Sequence, residues 1–171
     1  MFVDESHSDD RTTDRLYGNS IRGTRPVASC FMVRGQRYTV SVAANYRGII
    51  DYQVVRGSCT GSNLFCWIVN SLYFALDDDS ILVMDNAAIH HYGPFLLLLE
   101  YLDVDIIFLP PYCCFLNPVE HIFASLKAAI RRNREAMRRN PARTLALILE
   151  SLRRFNVRGL MRRMGYYRVC F

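Results

Sequence analysis

From Tyr38 to Asn45 (Y-T-V-S-V-A-A-N) the side chains alternate with the two-residue period of a strand. A second strand-like run, Gly48 to Val55, follows after a short turn, so the two predict an antiparallel hairpin. Between Ser62 and Leu76, the positions Leu64, Phe65, Ile68, Leu72 and Phe74 or Ala75 recur at roughly helical spacing. Ser80 to Met84 is a short continuous apolar run, the pattern of a strand covered on both faces. Pro94 to Leu102 predicts a helix, Asp105 to Leu109 another buried strand, and two more helices follow over about Pro118–Arg132 and Pro141–Asn156. At the start, Met1 to Asp4 has the pattern of a strand end whose beginning is missing. Residues 5–37, broken by Gly18, Gly23, Pro26 and Gly35, predict loops and turns, and the polar Arg131–Pro141 a loop within one domain. This order predicts an α/β fold, a mixed sheet flanked by helices.

Composition narrows the class. The 171 residues suit one domain, and 51% apolar with 12% aromatic residues argue for a packed globular chain. Six cysteines form no C-x-x-C pair and follow no secretory signal, which predicts a soluble protein of a reducing intracellular compartment. Cys30, Cys59 and Cys66 lie in or beside apolar runs and are expected to act as small hydrophobes. No membrane span is expected, because the run Phe95–Leu99 is stopped by Glu100, Asp103 and Asp105. The net charge of +5 conceals an asymmetry. Residues 1–126 carry eight Arg against fourteen acids, a balance of −6; residues 127–171 carry twelve Arg and Lys127 against Glu135 and Glu150, a balance of +11. An acidic part followed by an Arg-rich helical tail (about 133–171) suits contact with a polyanion, or else a solvated helix face.

Three acids are placed for chemistry. Asp85 ends the apolar run I-L-V-M, where a strand leaves the core. After 34 intervening residues, Glu120 falls in the first turn of the helix begun by Asn117-Pro118. Asp4 stands in F-V-D-E-S near the start. Phosphodiester cleavage requires an activated nucleophilic oxygen and a stabilised leaving oxygen, and two divalent ions held by carboxylates supply both. Hard cations take oxygen ligands, and Mg²⁺ keeps several waters, so three acids suffice. Each acid has a structural alternative. Asp85 could cap the following turn, Glu120 could close a capping box over Asn117, and Glu5 rivals Asp4 from the opposite strand face. Asp9, Asp10 and Asp14 are expected to be solvated in a loop, and Asp77-Asp78-Asp79 to form a solvated connection. Tyr112 suits either DNA packing or core closure.

The motifs F-V-D-E-S, R-L-Y-G-N-S-I-R-G-T-R-P, V-M-D-N-A-A-I-H and L-P-P-Y-…-L-N-P-V-E-H-I-F-A-S-L-K, in that order over residues 2–132, resemble the catalytic domain of mariner-type transposases of the DDE superfamily. The resemblance implies a ribonuclease H-like fold and metal-dependent cleavage and strand transfer of double-stranded DNA during transposition, with insertion at TA steps and assembly as a dimer or larger. It implies that Asp4, Asp85 and Glu120 bind two Mg²⁺ or Mn²⁺ ions, Asp4 shared between them. Asn86, His90 and Asn117 are expected around the site, with His90 touching substrate phosphate or fixing a loop. Lys127, Arg131 and Arg132 are expected to meet phosphates. A nuclear location follows if the source is eukaryotic, cytoplasmic otherwise. The chain departs from the pattern where Cys113-Cys114-Phe115 replaces S-P-x and Phe123 replaces tryptophan. The N-terminal helix-turn-helix region of such transposases has no counterpart, and the first strand is expected to be clipped. The other expectations kept open are an inactive nucleic-acid-binding remnant and a nuclease of the same fold.

Overall fold

The computed structural model describes residues 1–9, 12, 19–27, 35–76 and 80–166. Five strands, β1 (Phe2–Ser8), β2 (Tyr38–Asn45), β3 (Gly48–Arg56), β4 (Ile81–Met84) and β5 (Asp105–Phe108), form one sheet in the order β3-β2-β1-β4-β5. The first three pair antiparallel, while β1–β4 and β4–β5 run parallel. Among the described residues six α-helices, α1 (Gly61–Asn70), α2 (Gly93–Tyr101), α3 (Val119–Arg132), α4 (Arg134–Arg139), α5 (Pro141–Ser151) and α6 (Val157–Arg163), flank the sheet, with short 3₁₀ turns between some of the elements.

The sheet buries both faces, and its two-residue period sorts the side chains between them. Phe2, Val40, Val42 and Ala44 face α3, α5 and α6, packing with Ile122, Phe123, Leu126, Leu145, Leu149, Val157 and Met161. Val3, Ala43, Leu82 and Met84 face α1 and α2, packing with Leu64, Trp67, Ile68, Phe95 and Leu99. Local chemistry starts the helices. Thr60 and Asn63 form a reciprocal capping box at α1, and Asn140 caps α5 ahead of Pro141. Trp67 then donates to the Asp51 carboxylate at 2.7 Å, pinning α1 to β3.

Several expectations need correction. Glu5–Ser8 continue β1 rather than looping, because Tyr38–Ser41 of β2 supply a full antiparallel register, Glu5 opposite Ser41 through Ser8 opposite Tyr38. Asp4 therefore sits within a strand, not at its end. β5 is half-exposed rather than buried, with Ile107 50% exposed, because it lies at the sheet edge. The helix after Thr60 stops at Asn70, and a 3₁₀ turn (Leu72–Ala75) follows. Arg131–Pro141 is not a loop: α3 runs to Arg132 and α4 occupies Arg134–Arg139, with Met137 buried in the core. The helix predicted over Pro141–Asn156 ends at Ser151, and α6 was not foreseen. Cys59 is buried as expected, but Cys66 is exposed. Asp10, Asp14, Cys30, Asp77-Asp78-Asp79 and the Arg15–Gly18 part of the second motif lie outside the described residues. Among the described residues no helix is long and apolar enough to cross a membrane.

Candidate active site

The parallel pairing of β1 with β4 sets the site. Phe2 stands opposite Val83, so two residues further on Asp4 comes level with Asp85, on strands about 4.8 Å apart. The chain leaves β4 at Asp85, and α3 brings Glu120 in its first turn. Asp4, Asp85, Asn86, Asn117 and Glu120 line one cleft of about 410 Å³, together with Glu5 and the loop Leu109–Cys114. Three of the sequence candidates are thus acids of one cleft at the carboxyl end of the parallel strands.

Each acid is held differently. Asp4, 8% exposed, accepts from the Glu5 amide at 2.7 Å and from Asn117 Nδ2 at 2.9 Å. Asn117, 2% exposed, also accepts from the Val119 amide at 3.1 Å, so one amide ties α3 to β1. Burial, reinforced by the charges of Glu5, Asp85 and Glu120, pushes the Asp4 carboxyl up to about 7, against the pull of its backbone hydrogen bond. Asp85 accepts from the Ala87 amide at 3.0 Å and meets His90 Nδ1 at 2.8 Å. The hydrogen bond from His90 holds the Asp85 carboxyl below the usual range. Glu120 is exposed, and among the described residues no hydrogen bond returns from its carboxylate to the helix start. The capping work falls to Asn117 instead, leaving Glu120 free to face the cleft.

His90 does not line the cleft. It is fully buried behind it, between Asp85 and Glu5 Oε2, the latter at 2.9 Å. Burial lowers its basicity, but the hydrogen bonds to Asp85 and Glu5 outweigh this and raise it to about 10. The ring is thus buried away from the cleft surface, tied to the Asp85 backbone and to β1. Asn86 Oδ1 is engaged by His91 Nε2 at 2.5 Å. Tyr112 is 98% exposed at the rim with a φ of +62°, which removes the core-closing role. Lys127, Arg131 and Arg132 lie outside the cleft: Lys127 half-buried, the two arginines exposed. Lys127 and Arg131 share the helix stripe of Glu120, seven and eleven residues on. Arg132 lines a separate hollow of about 610 Å³ with Arg134, Arg139 and Arg143.

Glu5, weighed in the sequence only as a rival to Asp4, lines the cleft beside it. Strand alternation does send it to the opposite face from Asp4, yet the cleft opens at the sheet end and is lined by both. No spacing rule links it to His90, 85 residues away. The oxygen-only donor set of Asp4, Asp85 and Glu120 fits a hard divalent cation, and so does a buried Glu5 Oε1 without a hydrogen-bond partner among the described residues. The acids line the cleft without crowding together: among the described residues no three His, Cys, Asp or Glu side chains gather closely enough to hold one ion jointly. Ions held by pairs of carboxylates and completed by water make no such demand.

Residues 1–141 match the family described as DDE superfamily endonuclease. No curated protein sequence matches. Among solved structures, the Mos1 mariner paired-end complex with Mn superposes with a TM-score of 0.76 at 19% identity, covering 96% of this chain and 52% of that one. The Mos1 transposase catalytic domain with raltegravir and Mg gives 0.58 at 16% identity, covering 95% of this chain and 79% of that one. The catalytic core of BIV integrase gives 0.51 at 21% identity over 69% of this chain and 75% of its own. The chain spans about half the length of the Mos1 chains in the strand transfer and paired-end complexes. At these identities the likeness establishes the shared ribonuclease H-like architecture: a mixed five-stranded sheet flanked by helices.

Proposed function

This chain belongs to the DDE superfamily endonucleases, and from that premise we propose that it cleaves DNA strands and transfers them during transposition. The observation that carries the proposal is the convergence of Asp4, Asp85 and Glu120 on one cleft, from a central strand, a strand end and a helix start. Asp4 and Asp85 would hold one Mg²⁺ or Mn²⁺ ion, and Asp4 and Glu120 a second. When bound, the pair supplies activation of the attacking oxygen and stabilisation of the leaving oxygen.

The chain's own residues orient the acids and the substrate. Asn117 and the Glu5 amide fix the Asp4 carboxylate, and His90 with the Ala87 amide fixes Asp85. In the first reaction water attacks the phosphorus at the transposon end. The bond from phosphorus to the 3′ oxygen breaks, leaving a 3′-hydroxyl and a 5′-phosphate; one of the water's protons ends on the 3′ oxygen and the other in solvent. In the second, the 3′-hydroxyl attacks a target phosphodiester, a new P–O bond forms, the target's own 3′ oxygen leaves, and the proton lost by the attacking oxygen is regained, through solvent, by the leaving one. Lys127 and Arg131, on the Glu120 stripe of α3, and Arg132 in the adjoining arginine-lined hollow are suited to the phosphate backbone of duplex DNA. Exposed Tyr112 at the cleft rim is suited to stacking on a base. The Mos1 strand transfer complex and the Mos1 paired-end complex with a left transposon end, which share this fold, support DNA as the partner. A eukaryotic source would place this work in the nucleus.

The test is nicking and strand joining on labelled duplex DNA with Mg²⁺ or Mn²⁺, wild type beside Asp85→Asn. Metal-dependent nicking and joining, lost in the variant, is the expected result. Salt-sensitive DNA binding with no nicking in either protein would instead establish an inactive binding remnant. Cleavage of an RNA–DNA hybrid without joining would point to a nuclease.

A further inference from the structure

Behind the cleft, a buried histidine links one of the three acids, Asp85, to a fourth carboxylate, Glu5. His90 is fully buried and met at both ends. Its Nδ1 faces Asp85 Oδ1 at 2.8 Å and the Asp85 carbonyl at 3.0 Å, and its Nε2 faces Glu5 Oε2 at 2.9 Å. All three partners accept hydrogen bonds, so the ring donates from both nitrogens and its plane is fixed along the Glu5–Asp85 line. The Glu5 side chain is 8% exposed. Its second oxygen, Oε1, is buried without a hydrogen-bond partner among the described residues, although Glu5 lines the cleft. A buried carboxylate oxygen left in this state calls for a donor from the cleft. A water in the hydration shell of a divalent ion is such a donor.

We infer that Glu5 is a fourth carboxylate of the site, a positioning residue whose Oε2 aims Asp85 through His90 and whose Oε1 receives a water of the bound ion. This rests on the metal reading given above. Glu5 and Asp85 come from neighbouring parallel strands, and His90 follows Asp85 by one 3₁₀ turn (Ala88–His91), so the clamp spans the β1–β4 seam at the point where the cleft opens. Partners that orient ligands from behind typically change metal affinity 10–100-fold when removed.

The test is Mn²⁺ titration of the purified chain by calorimetry. Wild type is compared with Glu5→Gln, Glu5→Asp, His90→Gln and Asp85→Asn, each confirmed as folded by circular dichroism. Wild type is expected to bind Mn²⁺, and Asp85→Asn to lose most of that binding. Glu5→Gln and His90→Gln should each bind about 10–100-fold more weakly. Their double variant should be no weaker than the worse single, because both act through one link. Glu5→Asp, a methylene too short to reach His90, should match Glu5→Gln. Wild-type affinity in a folded Glu5 variant, or losses that add in the double, overturns the clamp and leaves the metal reading standing. Absence of Mn²⁺ binding by wild type overturns both. If neither Glu5 variant folds, the ¹⁵N resonances of the wild-type His90 ring decide: a shift on adding Mg²⁺ supports the clamp, and unmoved resonances overturn it.

Discussion

As a proposed cation ligand, Asp4 has to be both buried enough to be aimed and charged enough to bind, and these two demands conflict. Its carboxyl, ordinarily at 3.8, is raised to about 7 by burial and by neighbouring acids. Between those values the native protein keeps a proton that the unfolded chain has released. Stability from this group is therefore complete below about pH 4 and lost as pH rises to about 7, a change on the order of 4 kcal/mol. His90 acts in the same direction at higher pH: raised from 6.5 to about 10, it supports the fold below 6.5 and loses that support as pH rises through 10. Melting in EDTA should thus show wild type losing more stability than Asp4→Asn between pH 4.5 and 7.5; parallel curves would refute the Asp4 assignment. Added Mn²⁺ should stabilise wild type more at pH 8 than at pH 5, because metal competes with the proton. Asn117→Ala removes both the tie to Asp4 and the support of the Val119 amide. It should cost about 1–2 kcal/mol in urea unfolding. Asp4, Asp85 and Glu120 were legible as candidates for one cleft through the motifs that carry the family resemblance, whereas taken alone each acid also suited a structural role. Glu5 was legible only as a rival to Asp4; its contact with His90, 85 residues away, was not.

The elements that sequence periodicity located well, β2, β3, β4 and α3, have their apolar pattern set by one or two covered faces. Those it missed follow other rules. Glu5–Ser8 are polar residues held in β1 by pairing with β2, a contact that no local window contains. The short α4 is arginine-rich, and only Met137 anchors it to the core. Docking of α5 and α6 on the sheet depends on Gly48. Its φ of +133° suits glycine, and a Cβ there would run into the Arg153 carbonyl oxygen, which accepts from the Ile49 amide at 3.1 Å. Gly48→Ala should therefore destabilise by about 2–4 kcal/mol, combining backbone strain with overpacking. Gly57, at φ +95° with open space around it, isolates the strain alone, and Gly57→Ala should cost about 1 kcal/mol. Equal midpoints for the two variants in urea would rule out the Arg153 contact as the cause.

Across the whole molecule, charge and architecture point to the same partner. The acidic stretch 1–126 supplies the cleft, and the basic stretch from Lys127 onward continues along α3 into the arginine-lined hollow formed with α4 and α5. The asymmetry was legible in the sequence; its arrangement around one helix was not. If Lys127 and Arg131 each meet a phosphate, replacing both with alanine should reduce the salt slope of duplex binding by about two, measured by anisotropy between 50 and 200 mM salt. An unchanged slope would remove both from the interface. The central claim is that Asp4, Asp85 and Glu120 hold the ions of a strand-transfer site, and the most direct measurement is anomalous scattering from crystals soaked in Mn²⁺. Two peaks sharing Asp4 are expected, one toward Asp85 and one toward Glu120. Peaks elsewhere, or none in the cleft at a pH above 8, would contradict it.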